Sequence, residues 1–283
     1  MKHVLVATDC NTYTTAVLQY AFSLSKALKS TLSVLHVFEL PPIQHEVIKD
    51  RDQLLKSFRK EQLGVLKHYC EEHLGLPENR EGVEMHLDAV DHYSVSEAIL
   101  AKSEEVMADL IVVGMKEKHT LRGFFSGNIA NQLLSKSMVP LLIVPPDHSF
   151  SSLQHIVYAS DFEMEDIFVL KKLVGIAEVF EADITVVHVP VEDEYSGKDQ
   201  MQWFEELLRQ EVNYPKISFQ LPVATSVPLG LKSFMESSNA DILAMLERSE
   251  KGLFKKLFEG DTVKKMESKI RIPLLSFNCR KSS

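Results

Sequence analysis

The sequence contains an internal repeat in which four short blocks occur twice in the same order. The matched blocks are HVLVATD (3–9) and HIVYASD (155–161), LSVLHV (32–37) and ITVVHV (184–189), ADLI (108–111) and ADIL (240–243), and VPLL (139–142) and IPLL (272–275). The first two pairs are 152 positions apart and the last two are 132 and 133 apart, so the second copy is 152 − 132 = 20 residues shorter between its second and third blocks. Blocks that recur at a fixed spacing indicate that one structural unit was duplicated.

Each copy has the size of a small domain. A chain of 283 residues fits two domains at roughly 100–200 residues per domain. The segment 145–152 (PPDHSFSS) has the proline, serine and polar composition of a linker. We therefore predict a first domain at 1–146 and a second, shorter and diverged domain at 153–283.

Within each copy, short apolar runs alternate with helical patterns. In the first copy the runs predict strands near 2–8, 32–38, 83–89, 109–114 and 140–144. Their continuous apolar character is typical of a parallel sheet that helices cover on both faces. The alternation predicts two tandem α/β domains, each a doubly wound, five-stranded parallel sheet of the Rossmann-like kind with right-handed crossovers.

The predicted helices connect these strands. In the first copy they lie near 13–29, near 46–74, after a capping-box pattern that begins at Ser94, and from about Gly127–Asn128. We expect the long second helix to bury a face that contains Leu54, Phe58, Val65 and Tyr69. The second copy has a shorter helix here, around Met201, Phe204 and Leu208.

Composition narrows the functional classes. The net charge of −9 argues against a nucleic-acid-binding surface, which usually needs a basic face. The sequence shows neither a signal-peptide pattern nor an apolar run as long as a membrane span, so we expect no membrane partner and a cytoplasmic protein. Its three cysteines lack a CxxC pattern and are typical of reduced cytosolic thiols.

The loop after the first strand is the first candidate for a binding site, because open parallel sheets bind ligands at the carboxyl ends of their strands. It carries Thr8 and Asp9 in the first copy and Ser160 and Asp161 in the second. A hydroxyl next to a carboxylate would accept hydrogen bonds from a sugar or a base. The alternative is that each aspartate caps the helix that follows, and both copies would need that cap equally.

The loop after the fourth strand carries a second pattern. Gly114 is followed after two intervening residues by Glu117, and after nine further intervening residues by Gly127 and Asn128 at a helix start. This loop resembles the G-x2-G-x9-G-[S/T] loop of the ATP-binding universal stress proteins, in which Glu117 replaces the second glycine and Asn128 replaces the hydroxyl residue. The VATD, LHV and VPLLIV segments are similar to that family as well, and the resemblance covers both copies of the tandem.

The resemblance implies an adenine-nucleotide α-hydrolase-like fold and a site for ATP or AMP in the N-terminal domain. Its residues would be Thr8, Asp9, Gly114, Met115, Lys116, Gly127 and Asn128, with backbone contacts from Val37 to the base. Glu117 would repel the phosphates there. In the second copy Leu246, Ser249 and Asp261 stand at the loop positions, so we expect no nucleotide in the C-terminal domain.

Other residues give weaker signals. His36 and His188 end equivalent strands, and we expect them to be hydrogen-bonded structural residues. Cys70 and His73 share a helix face without a second ligand pair, so we predict no metal site. No nucleophile–base pattern is present, so we expect no catalytic residues and no enzyme.

Two functions stay open at this point, whereas a third, an enzyme that acts on a small phosphorylated ligand, has no positive feature in the sequence. The first is a non-catalytic stress-response protein that acts through self-association or partner contacts. The second is an ATP or AMP sensor with one site in the N-terminal domain. The family resemblance also implies that the final strands of the two copies pair as an intramolecular pseudo-dimer, and that two chains form a homodimer. An apolar edge strand needs such a cover.

Overall fold

The structure is a computed structural model, and it describes residues 1–40, 51–80, 82–114, 127–146, 148–190, 197–247 and 272–278. The chain divides into two compact units. One comprises Met1–Val139 with Ile143–Phe150, and the other comprises Pro140–Leu142 with Ser151–Ser283. The predicted domains, 1–146 and 153–283, differ from this division in that Pro140–Leu142 is grouped with the second unit.

The first unit alternates strands and helices. Its elements are β1 (His3–Thr8), α1 (Thr15–Leu28), β2 (Thr31–Phe38), α2 (Arg51–Leu74), β3 (Met85–Asp91), α3 (Val95–Glu105), β4 (Leu110–Gly114), α4 (Gly127–Lys136) and β5 (Leu141–Val144), of which Leu141 and Leu142 are grouped with the second unit. The strand order is β3-β2-β1-β4-β5, and β1 pairs in parallel with both β2 and β4. The order reverses at β1, as in a doubly wound sheet, so the predicted fold class is confirmed.

The second unit repeats this plan. Its elements are β6 (His155–Ala159), α5 (Met164–Phe180), β7 (Asp183–Val187), α6 (Gly197–Glu211), β8 (Ile217–Gln220), α7 (Val227–Ser238), β9 (Ile242–Glu247) and β10 (Leu274–Asn278). The strand order is β10-β9-β6-β7-β8, with β6 parallel to β7 and β9. The shorter helix predicted around Met201, Phe204 and Leu208 is α6, in which Phe204 and Leu208 are buried.

The backbone repeats more faithfully than the side chains. Three pairs of non-glycine residues have left-handed backbone angles at equivalent positions. They are Cys10 and Phe162 (φ 57° in both), Lys29 and Glu181 (52° and 53°), and Met107 and Asn239 (51° in both). Such angles are uncommon outside glycine. Their recurrence with different residue types shows that the fold dictates these turns, whichever side chain occupies them.

The recurring Ala-Asp block has a structural role in both units. The Asp109 carboxylate accepts hydrogen bonds from the backbone N–H groups of Lys2 and His3, at 2.6 and 3.1 Å. Asp241 does the same for Gln154 and His155, at 2.6 and 2.8 Å. Each aspartate therefore ties the start of the unit's fourth strand to the start of its first, which explains why the block recurs.

The buried face of α2 differs from the prediction. Tyr69 is buried, but Leu54 and Val65 are 42% and 46% exposed, while Leu66 is fully buried. The face that packs inward carries Phe58, Gln62, Leu66 and Tyr69, spaced four, four and three residues apart. The apolar pattern misled the prediction because one position on this face is a glutamine.

Strand bounds differ slightly elsewhere. The third strand begins at Met85 and ends at Asp91, two residues later than predicted at each end. The capping prediction at Ser94 is confirmed, since its hydroxyl accepts a hydrogen bond from the Glu97 N–H. The Glu97 carboxylate does not complete a reciprocal box and instead accepts a hydrogen bond from Tyr93, at 2.9 Å.

Candidate functional site

The carboxyl end of β1 carries a connected group of hydroxyl and carboxylate side chains. The Thr8 hydroxyl lies 2.8 Å from the Thr14 hydroxyl and accepts the Cys10 N–H at 3.0 Å. Thr14 donates to Asp9 Oδ1 at 3.1 Å. Thr8 is buried and Asp9 half-buried. The two residues predicted from the sequence thus lie together, with Thr14 as a third member of the group.

Asp9 does not cap the following helix. Asn11 is the N-cap of a short 3-10 turn (Thr12–Thr14) that leads into α1, and its side chain accepts the Tyr13 N–H at 2.9 Å. Asp9 instead accepts a hydrogen bond from the Asn11 amide, at 2.6 Å. The alternative prediction that Asp9 caps the helix is therefore wrong, because Asn11 is the cap. The left-handed Cys10 turns the chain between Asp9 and Asn11, so that Asn11 reaches the cap position.

Tyr69 of α2 extends this group. Its hydroxyl donates to the Asn11 carbonyl at 3.0 Å and lies 3.1 and 3.2 Å from the hydroxyls of Thr14 and Thr15. Burial raises the pKa of Tyr69, and hydrogen bonds with the threonines offset part of that rise. A protonated phenol can donate only one hydrogen bond, which here goes to the protein backbone.

The strand-end histidines are hydrogen-bonded structural residues, as predicted. His36 Nδ1 lies 3.0 Å from the Thr8 carbonyl, and its Nε2 lies 3.2 Å from the side-chain oxygen of Gln62. His188 Nδ1 lies 2.8 Å from the equivalent Ser160 carbonyl. The next residue in the first unit, Val37, is buried on β2. The hydrogen bond between Gln62 and His36 explains why a polar residue lies on the inward face of α2.

Gly114 ends β4 beside α1. A Cβ atom built on Gly114 would lie 2.9 Å from Val17 Cγ2, closer than real Cβ contacts come. Val17 itself is 1% exposed. Packing against α1 therefore accounts for a glycine here, without any approach of a nucleotide.

The structure describes only part of the predicted binding loop that follows β4. Met115 and Lys116 lie outside the described residues, as do Glu117, Ser249 and Asp261. Gly127 and Asn128 form the start of α4, as predicted. Because Leu246 is buried at the end of β9, the second unit holds a large apolar side chain at the position that corresponds to Gly114.

The second unit has its own polar group at the end of β6. Asp166, 1% exposed, accepts hydrogen bonds from the Tyr158 hydroxyl and the Ser160 hydroxyl, both at 2.7 Å. It also accepts the Glu163 N–H at 3.2 Å, and Glu163 forms the N-cap of α5 in a reciprocal capping box. Asp161 is exposed. Here too the cap is two residues beyond the aspartate that the sequence singled out.

An aromatic cluster lies at this end of the second unit. The Phe162 ring is 4.9 Å from the His188 ring and 5.3 Å from the Phe204 ring, centroid to centroid. Phe162 is 1% exposed, whereas its counterpart Cys10 is half-buried. The same turn therefore carries a large buried ring in one unit and a small thiol in the other.

Several residues of the polar groups at the ends of β1 and β6 were not predicted from the sequence. Thr14 and Asp166 occupy equivalent positions, since they are 152 residues apart, yet they share no chemical class. Tyr69 and Phe162 belong to apolar patterns that favour a plain core role. The only available signal was the position itself: aligning the two copies places Thr14 opposite Asp166, six residues after the hydroxyl at the strand end.

The Cys10 thiol should be unreactive. Burial raises the pKa of Cys10 to about 12, and the nearby Cys70 and Asp9 add to that rise. Because only the thiolate is a nucleophile, we expect iodoacetamide at pH 8 to alkylate Cys10 at least about 100-fold more slowly in the native protein than in urea. Mass spectrometry of quenched samples measures both rates on the same peptide. Equal rates would show that burial does not protect the thiol.

The described residues show neither a group of metal ligands nor a membrane-spanning helix. Within the described ranges, no three histidine, cysteine, aspartate or glutamate side chains are grouped so that they could hold a metal ion. The His73 ring packs edge-on against Tyr69, with centroids 4.6 Å apart, next to the buried Cys70. Of the helices in the described part of the chain, none combines the length and apolar character needed to cross a bilayer.

Comparisons with known proteins agree with this architecture. Over 98% of both chains, a universal stress protein from Archaeoglobus fulgidus DSM 4304 has 18% identity and a TM-score of 0.67. A Pseudomonas aeruginosa UCBPP-PA14 protein provisionally assigned to the same group has 12% identity and a TM-score of 0.61, over 98% of this chain and 93% of its own. A functionally unknown Pseudomonas aeruginosa PAO1 protein has 13% identity and a TM-score of 0.57, over 98% and 92%. At these identities the structural likeness shows the fold alone.

The sequence comparison gives the family. No curated protein matches the chain significantly. The model of the universal stress protein family matches residues 1–145, which is just over half of the 283 residues. The chain belongs to the universal stress protein family.

Proposed function

We propose that this protein is a cytoplasmic universal stress protein that acts through self-association and partner contacts, without turnover of a substrate. The observation that carries the proposal is the state of the polar groups at the strand ends. In the first unit the Thr8, Thr14 and Tyr69 hydroxyls bond to one another and to the backbone, and in the second unit Tyr158 and Ser160 bond to Asp166. Hydroxyls that already have protein partners lose those bonds when a ligand takes their place.

A second candidate function is a single adenine-nucleotide site in the first unit. The observation that favours it is the contrast between Cys10 and Phe162, because the ring that packs on His188 in the second unit has no aromatic counterpart in the first. Asp9 also keeps acceptor capacity, since a carboxylate offers about four lone-pair sites and two hydrogen bonds are made here. The start of α4 would supply the positive end of a helix dipole for a phosphate.

A thermal-shift measurement separates the two candidates. The first predicts no rise in the melting temperature at millimolar ATP or AMP and no release of ADP. Under the second, nucleotide at 100 times its Kd would add about 2.7 kcal/mol of stability. A saturable rise in the melting temperature would therefore contradict the first candidate.

Variants that exchange the residues of this turn between the two units would locate nucleotide binding. Cys10→Phe installs the residue of the second unit on a backbone that carries Phe162 at the same φ of 57°. If nucleotide binds in the first unit, this variant should weaken binding at least tenfold. Phe162→Cys is the matched control, and it should leave binding in the first unit unchanged.

We further propose that self-association uses β5 and β10, in line with the pseudo-dimer and homodimer implied by the resemblance. In the strand order of its own unit, each is the terminal strand, and each carries mainly apolar side chains. Light scattering would test the homodimer against the 32.1 kDa mass of one chain. A Leu142→Lys variant would test the strand, with far-UV circular dichroism as the check on folding, because Leu142 is 1% exposed and a charge there opposes pairing.

A further inference from the structure

We propose that β8, the outer strand of the second unit, is a further self-association surface, on which the same strand of another copy of this chain pairs antiparallel. This surface involves neither β5 nor β10. β8 (Ile217–Gln220) pairs with β7 on one side and is the terminal strand of the sheet of its unit. Among the strands that the structure describes, none pairs with the other side of β8, which is called its outer side below.

The backbone groups of β8 alternate between β7 and the outer side. The carbonyls of Lys216 and Gln220 accept N–H groups from β7 and the residue that follows it, at 2.8 and 3.1 Å. Because the direction alternates along a strand, the N–H and C=O groups of Ile217 and Phe219 point to the outer side. Leu221 continues this series, since a residue that precedes proline is held in the extended region.

The side chains of this strand carry no charge. Ile217 and Phe219 share the face covered by α6, where the Phe219 ring is 6.4 Å from the Phe204 ring. Ser218 and Gln220 are exposed on the opposite face. An uncharged strand with unpaired backbone groups along one side is a template for pairing with another strand.

The first unit has charges on the corresponding strand. Asp88 of β3 accepts hydrogen bonds from Arg59 at 2.8 Å and from Lys102 at 2.6 Å. At the positions 132 residues after Asp88 and Lys102, the second unit has Gln220 and Phe234. Charged side chains on an edge strand oppose pairing with another chain. The second unit therefore lacks a protection that the first unit has.

The strand is complementary to a second copy of itself. In an antiparallel pair centred on Phe219, Ile217 of one chain lies opposite Leu221 of the other, and Ser218 lies opposite Gln220. Apolar side chains then meet apolar ones, polar side chains meet polar ones, and no two like charges face each other. A two-fold axis makes both halves of such a contact identical, so one surface is enough for the dimer.

Two prolines select this register. Pro215 and Pro222 bound the segment 216–221, and proline has no N–H to donate. A centre at Phe219 lets every outward N–H group between the prolines donate to the other chain. A centre one residue earlier would set Leu221 opposite Pro215, and a centre one residue later would set Ile217 beyond Pro222.

The size of the contact predicts its strength. A pair of strands this short buries less than the roughly 1,200 Å² at the lower end of stable interfaces, so the dimer should be transient, with a dissociation constant in the micromolar range or weaker. Val223, just after the strand, is 93% exposed and adds apolar area, whereas the first unit has Asp91 at the corresponding position.

Charge exchange across the strand tests the surface and its register. Because the first unit carries His86 and Asp88 at the positions of Ser218 and Gln220, the fold accepts ionisable residues there. Ser218→Lys with Gln220→Lys sets lysine opposite lysine and should weaken self-association about tenfold. Ser218→Lys with Gln220→Glu sets lysine opposite glutamate and should restore it to at least the wild-type level. Sedimentation velocity of the full chain over a range of concentrations measures the association constants.

A matched control separates pairing from net charge. Gln202→Lys with Gln210→Lys adds the same charge to exposed positions of α6 and should leave self-association unchanged. Equal weakening by both double-lysine variants would overturn the proposal, as would equal association constants for the lysine–lysine and lysine–glutamate variants. Trp203 fluorescence checks that each variant is folded. Leu142→Lys tests the β5 and β10 contacts separately, so either proposal can fail while the other stands.

Amide exchange measured by NMR identifies what occupies the strand. The outward amides of Ile217 and Phe219 should exchange at least tenfold more slowly at high than at low protein concentration, while those of Ser218 and Gln220, which face β7, should change less. Protection of the outward amides that does not depend on concentration would mean that another part of the same chain covers the strand. That result, or no protection at any concentration, would overturn the proposal.

Discussion

Gly114→Val is expected to destabilise the first unit by about 3 kcal/mol, at the upper end of the usual cost of overpacking a core. The first added carbon would lie 2.9 Å from Val17 Cγ2, and two further methyl groups would follow it into a region where Val17 is 1% exposed. Val17 cannot turn away at low cost, because a β-branched residue in a helix has one strongly preferred rotamer. Urea unfolding followed by hydrogen exchange of β1 and β4 amides measures the loss in this unit.

A double-mutant cycle separates packing from other roles of this glycine. Val17→Ala removes the methyl group that the new side chain would meet, so the pair Val17→Ala with Gly114→Val should recover at least about 1 kcal/mol relative to the sum of the single changes. If Gly114→Val alone leaves the unfolding midpoint of the first unit unchanged, the contact with Val17 does not explain the glycine. The nucleotide interpretation of the motif would then regain its main support.

Asp166→Ala is expected to destabilise the second unit by about 3 kcal/mol. The carboxylate is 1% exposed and accepts hydrogen bonds from the Tyr158 hydroxyl, the Ser160 hydroxyl and the Glu163 N–H. Removing it leaves buried donors without their acceptor, at about 1–3 kcal/mol for each group that cannot find water. Trp203 is the single tryptophan of the chain and lies in α6, so its fluorescence during urea unfolding reports on this unit.

Two further variants separate the effect of the hydrogen bonds from the effect of the size of the Asp166 side chain. Asp166→Asn keeps one acceptor oxygen and should lose less stability than Asp166→Ala. Adding Tyr158→Phe and Ser160→Ala to Asp166→Ala removes the stranded hydroxyls and should cost less than the sum of the three single changes. Strict additivity among these three positions would mean that the hydrogen bonds contribute little.

The fold was predictable because the repeat and the strand pattern agree with each other. The strands of the described residues, and the order of the helices between them, follow from apolar runs that occur twice, because parallel strands buried on both faces are almost continuously apolar. The face of α2 was predicted wrongly because Gln62, which bonds to His36, interrupts its apolar series. A polar residue that faces a buried partner cannot be told from a solvent-facing one by periodicity alone.

The candidate site was predictable in outline and not in detail. Thr8 and Asp9 lie at the strand end where an open parallel sheet places its ligands, so topology alone was enough to select them. The Thr14 hydroxyl bonds to both of them, Asn11 donates to Asp9, and Tyr69 on another helix bonds in turn to Thr14. Nor does the sequence distinguish a glycine that leaves room for a ligand from one that leaves room for Val17, because a Cβ atom would obstruct either neighbour.

The left-handed turn after the first strand of each unit has a consequence for how such proteins diverge. Cys10 and Phe162 hold the same backbone angle with side chains of very different size, so the turn does not depend on which residue it carries. Point mutations at this codon can therefore change what faces the strand end while the neighbouring chain keeps its course. After a gene duplication, one copy can fill the space at its strand end with a large buried ring, as Phe162 does, while the other keeps a small side chain there.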